Sequence, residues 1–60
     1  MNITDDDKIA CLKREIAMRQ RVYPRWVALG KITSEKADKE ISVMQAILTD
    51  YKNKADLFAT

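Results

Sequence analysis

Leu29-Gly30-Lys31-Ile32-Thr33-Ser34-Glu35 is the stretch in which this 60-residue chain reverses direction. It holds the only glycine of the sequence. Glycine suits the position just past a helix C-terminus, where the backbone turns left-handed, and Lys31 lies beside the negative end of that helix. Thr33 follows as an N-cap for a second helix, with Glu35 in its first turn. Ile32 and Ala37 take the two staple positions around that cap. A connection this short forces the two helices to run antiparallel.

Outward from the turn, each flank repeats at helical spacing. Upstream, Ile9, Leu12, Ile16, Arg19, Tyr23, Trp26 and Gly30 follow one another at steps of three and four. Downstream, Ala37, Ile41, Met44, Leu48, Tyr51, Ala55 and Phe58 do the same. Both match the a/d seam of a heptad. Thr4 with Asp5, Asp6 and Asp7 supplies an N-cap and acids where the helix dipole favours them. The expected fold is all-α, an antiparallel helical hairpin forming one domain over residues 1–60. Its parts are a helix over 5–29, a turn at 30–33 and a helix over 34–56.

Pro24 is the local contradiction. It removes a backbone donor and clashes with the carbonyl four residues back. Either the chain breaks at Tyr23 and restarts, or one helix continues with a kink. The seam passes from Ile16 through Tyr23 to Trp26 without a phase jump, and Tyr23 is a poor N-cap. The kink is the better reading.

The first helix has more apolar surface than one partner can cover. Ile9, Leu12, Ile16, Tyr23 and Val27 fall in one sector, whereas Cys11, Met18, Val22 and Leu29 lie about 120° or more away at 100° per residue. A hairpin of this size buries little, and small folds add a disulfide, a metal or a second chain. One Cys and no His exclude the first two. The expectation is a homodimer, most simply a four-helix bundle, with Cys11, Met18, Val22 and Leu29 at its interface. Arg19, within the seam, needs a carboxylate such as Glu15 or Glu40 to offset desolvation.

Composition narrows the function. The chain is 47% hydrophobic and 33% charged, which fits a helical protein and not a disordered one. Without His, a Gly-rich phosphate loop or a base near Cys11 in sequence, it is not expected to be an enzyme or to hold a cofactor or metal. Asp5, Asp6 and Asp7 lack the ligand spacing of a cation loop and read as helix-start acids. The N-terminus has no secretory pattern, and no apolar run exceeds four residues, so no membrane partner and a cytoplasmic location are expected.

Charge is uneven. Residues 8–31 carry seven Lys/Arg against one acid, and residues 32–60 carry four against five. Arg14, Arg21 and Arg25 form a ridge able to pair with phosphates or acidic side chains, and Trp26 stands at its edge. These four are the candidate partner-binding residues. A DNA-binding helix-turn-helix fits poorly, since the helix meant for the groove begins with Glu35, Asp38 and Glu40 among its first seven residues.

The runs Arg14-Glu15-Ile16-Ala17-Met18-Arg19, Val22-Tyr23-Pro24-Arg25-Trp26-Val27 and Gly30-Lys31-Ile32-Thr33 carry a resemblance, together with Ala37-Asp38-Lys39-Glu40-Ile41 and Met44-Gln45-Ala46-Ile47-Leu48. Over residues 12–51 the chain resembles small early-type helical proteins of temperate phages and prophages, through the Val-Tyr-Pro element, the Gly turn and the Ala-x-x-Glu-Ile pattern. That group has no established activity, so no catalytic residue carries over. The resemblance implies a regulatory adaptor that binds a host or phage protein. The alternative is an accessory nucleic-acid-binding protein using the same basic ridge.

Overall fold

The computed structural model describes residues 2–58, with side chains described to Lys54. Two helices, α1 (Asp5–Ala28) and α2 (Ser34–Phe58), pack against each other as a hairpin, with no strand among the described residues. The first helix ends one residue earlier than the sequence predicts, and the second runs two residues further.

Local chemistry sets each end. At the start of α1 the Asp7 amide donates to Thr4 Oγ1 at 3.1 Å, and the Thr4 amide donates to Asp7 Oδ2 at 3.0 Å. This reciprocal box satisfies two amides that the helix leaves without partners. At the far end Leu29 is still right-handed, and Gly30 turns to φ +74°. The Lys31 amide then reaches back to the Trp26 carbonyl at 2.9 Å, and the Gly30 amide to Val27 at 3.0 Å. That pair of bonds is a Schellman motif, which needs a residue at ease with positive φ. Thr33 Oγ1 accepts from the Lys36 amide at 3.1 Å and opens α2.

α1 runs without interruption through Pro24. A chain break at Tyr23 is therefore ruled out.

The core is a narrow seam. Ile16, Tyr23 and Ala37 are buried, at 7%, 7% and 4% exposure. Ile9, Leu12, Arg19 and Val27 on α1, and Ile41, Met44, Leu48 and Tyr51 on α2, are half-buried along it. Arg19 lies there because Glu15, one turn earlier, pairs with its guanidinium. The same Nη1 also donates to the Glu15 carbonyl at 3.3 Å. The hydrogen bond to the Glu15 carboxylate moves the Arg19 pKa further up, against a smaller opposing effect of desolvation.

Trp26 departs from its expected place in the seam. It is 41% exposed, and Val27 takes the inward position. From Ile9 to Val27 the covered stripe makes five steps over eighteen residues, the 3.6-residue period of a straight helix. A strict heptad at 3.5 drifts about 20° per repeat from such a helix, so the last seam position slips by one residue. The expected seam positions Ala55 and Phe58 lie outside the described side chains.

Two helices cannot make a compact body. The radius of gyration is 14.1 Å, against about 10 Å expected for a compact chain of this length. The extents are 46 × 23 × 14 Å, so the thinnest dimension is hardly more than one helix diameter of about 10–12 Å.

Substituting Gly30→Ala tests the turn. Nothing lies within 4 Å of the added methyl, so the loss is conformational and should be about 1–2 kcal/mol in denaturant unfolding. Thr33→Ala, which deletes the cap of α2, should cost about 1 kcal/mol. The Thr4 backbone hydrogen bond, with a smaller side-chain one, holds the Asp7 carboxyl below its ordinary 3.8. A depressed pKa stabilises the fold above the unfolded value and ceases to as pH falls through the folded one. Amide exchange at residues 5–8 should therefore accelerate as pH drops below about 3.8 in relation to the helix centre, beyond the intrinsic pH trend.

Candidate interaction face

The exposed apolar side chains gather on one broad side of the hairpin. Cys11 is exposed, Met18 is 41% exposed and Leu29 61%, while Val22 is half-buried. These four share one stripe of α1, about 120° from the covered stripe at 100° per residue. Val43 and Ile47, one turn apart on α2, are also exposed. Both helices present these residues to the same side. Ile3, Cys11, Leu12, Ile47 and Tyr51, together with Asp7 and Lys8, line one open groove of about 360 Å³ between the helices. Ile3, just before α1, extends the face at that end with 66% exposure.

The opposite side differs. A second hollow of about 360 Å³ lies between Gln20, Pro24 and Val27 of α1 and Ser34, Asp38 and Ile41 of α2, and its walls mix polar and apolar groups. The hairpin therefore has one apolar side and one mixed side. Large continuous exposed apolar patches are uncommon on monomeric domains and are often contact surfaces.

Arg14, Arg21 and Arg25 are all exposed along the outer edge of the apolar side. Among the described residues none of them comes within salt-bridge distance of a carboxylate. Trp26 lies across the stripe from them, and its ring stacks at a tilt on Tyr23 with centroids 5.6 Å apart. The ridge and Trp26 thus flank the apolar stripe and do not form one patch.

Spacing on α1 was enough to find Cys11, Met18, Val22 and Leu29. Val43, Ile47 and Ile3 were not found that way. At 100° per residue Val43 and Ile47 flank the α2 seam. Which side of the hairpin they face depends on how the two helices roll against each other.

Near the open end, Lys54 Nζ lies 3.5 Å from Asp5 Oδ2, and Lys8 Nζ lies 5.4 Å from the centre of the Tyr51 ring. Both contacts join α1 to α2 and fix their relative register there. Among the described residues no three metal-ligating side chains converge, and no helix is long and apolar enough to cross a membrane. The chain matches no protein-family model, no curated protein and no solved structure.

Exposure of this face is directly measurable through Cys11. In dilute solution its thiol should react with an aromatic disulfide reagent about as fast in the folded chain as in denaturant. A markedly slower folded-state rate that does not change on further dilution would show the face covered within the single chain.

Proposed function

We propose that this chain is a non-catalytic, phage-type adaptor acting in the cytoplasm. It pairs with a second copy into a four-helix bundle and binds a host or phage protein through Arg14, Arg21, Arg25 and Trp26. The single observation behind this reading is the apolar side shared by α1 and α2, bordered by arginines that have no acidic partner among the described residues. A surface of that kind suits association better than chemistry. It offers apolar area and guanidinium forks.

Pro24 contributes a bend to α1 in this reading. The missing amide leaves the Gln20 carbonyl without its helical donor, and the ring crowds the same carbonyl. A bend there tilts the last turn, with Trp26 and Leu29, relative to the stripe before it.

The acidic surface that matches the ridge belongs to another protein. Guanidiniums pair in fork geometry with carboxylates, and Trp26, on the other border of the stripe, offers a separate rigid apolar contact. Nucleic acid is the second candidate, because the same exposed ridge pairs as well with phosphates.

Affinity capture with the intact chain and with an Arg14→Glu, Arg21→Glu, Arg25→Glu variant separates these cases. The reading predicts a defined protein partner that the variant loses while keeping its helical circular dichroism. Retention of every specific partner by the variant would remove the ridge from the contact. Binding of nucleic acid that falls steeply with salt would replace the protein partner with the second candidate.

A further inference from the structure

The spacing of the exposed stripe on α1 carries one inference, which rests on the self-pairing proposed above. Cys11, Met18, Val22 and Leu29 are separated by seven, four and seven residues. The pattern reads the same in either direction about position 20. When two antiparallel copies of α1 are related by a two-fold axis level with Gln20, Cys11 falls opposite the partner's Leu29 and Met18 opposite the partner's Val22. All four apolar positions then meet apolar positions. Laying α1 across the partner's α2 would oppose them with only Val43 and Ile47, the exposed large apolar residues of α2 among the described side chains.

We propose that a second copy docks on the apolar side in this antiparallel α1-on-α1 arrangement, bringing the two arginine ridges together so that pairing responds to anions. Met18 and Leu29, 41% and 61% exposed, supply the apolar surface that this stripe brings to the contact, and the same side of the hairpin continues over Val43 and Ile47 of α2.

The same axis sets the charges. In such a pair, residues on the outer edge of one α1 share a side with the outer edge of the other. Arg14 comes within one residue of the level of the partner's Arg25, and Arg21 within two of the partner's Arg21. At a rise of 1.5 Å per residue these are axial offsets of about 1.5–3 Å. Six guanidiniums, three from each copy, line one strip. Their repulsion opposes pairing, and it falls when salt screens it or a multivalent anion bridges it. Neither copy holds the whole strip, so a site for a multivalent anion is completed only in the dimer.

Analytical ultracentrifugation of the intact chain reads this directly, between about 0.01 M and about 1 M NaCl, over which the screening length falls from ~30 to ~3 Å. The dimer dissociation constant should fall by roughly tenfold or more as salt rises. At low salt, inorganic tripolyphosphate should have the same effect. Arg21→Gln should dimerise more tightly than the parent at low salt and respond less to added salt. Leu29→Asp, at a position 61% exposed in the single chain, should stay monomeric at every salt concentration with unchanged helical circular dichroism. A parent chain that is monomeric throughout, with and without tripolyphosphate, would overturn both the self-pairing and this arrangement. A parent dimer that ignores salt or weakens with it would leave self-pairing intact and overturn the arrangement of ridges.

Discussion

Each helix of this hairpin has one helical neighbour, and most of the molecule's surface character follows from that constraint. The Gly30 turn, closed by the Lys31 amide on the Trp26 carbonyl, returns the chain directly alongside itself. α2 can then cover one stripe of α1 and no more. Ile16 and Tyr23 lie under it, whereas Met18 and Leu29, on the other stripe, remain open. Burial of apolar surface is the main favourable term in folding, and among the described side chains only Ile16, Tyr23 and Ala37 are buried here, none of them completely.

The polar contacts complement this narrow core without replacing it. The Lys54–Asp5 pair and the Lys8–Tyr51 contact hold the open end of the hairpin in register. Exposed contacts of these kinds are worth about 1 kcal/mol at most. The Arg19–Glu15 pair has a different role, because it lets a charged residue occupy a seam position. The long guanidinium stem contributes apolar contact there while its head stays paired. The remaining arginines of α1 lie outside the seam, at the border of the uncovered side. Stability thus points to missing apolar cover, and electrostatics place a cost on filling it with a like-charged surface.

The turn was the most legible part of the sequence, because its determinants are local. Gly30, Thr33 and Thr4 each act through hydrogen bonds to residues within a few positions, and those bonds are present in the structure. Beyond Tyr23 the heptad count selects Trp26, whereas the wheel at 100° per residue places Val27 with Ile9, Leu12, Ile16 and Tyr23, and the structure follows the wheel. A difference of a tenth of a residue per step accumulates to half a position over five steps, enough to make residue 27 and not residue 26 the inward one. The second face was half legible. Spacing on one helix identifies the stripe through Cys11 and Leu29. Its continuation onto Val43 and Ile47 is a property of two helices packed together, and it appears in neither helix alone. Ile3 escaped for a simpler reason, since it precedes the first helical turn and belongs to no periodic pattern.

Thermal unfolding followed by circular dichroism over a hundredfold range of protein concentration gives the most direct measurement. It belongs at high ionic strength, where repulsion between arginines is screened. If the uncovered side of α1 and α2 is completed by a second copy, the midpoint rises with concentration, as mass action requires of a folded state held together by association. A midpoint independent of concentration would mean that the narrow seam stabilises the hairpin unaided, contradicting a second copy as its missing cover.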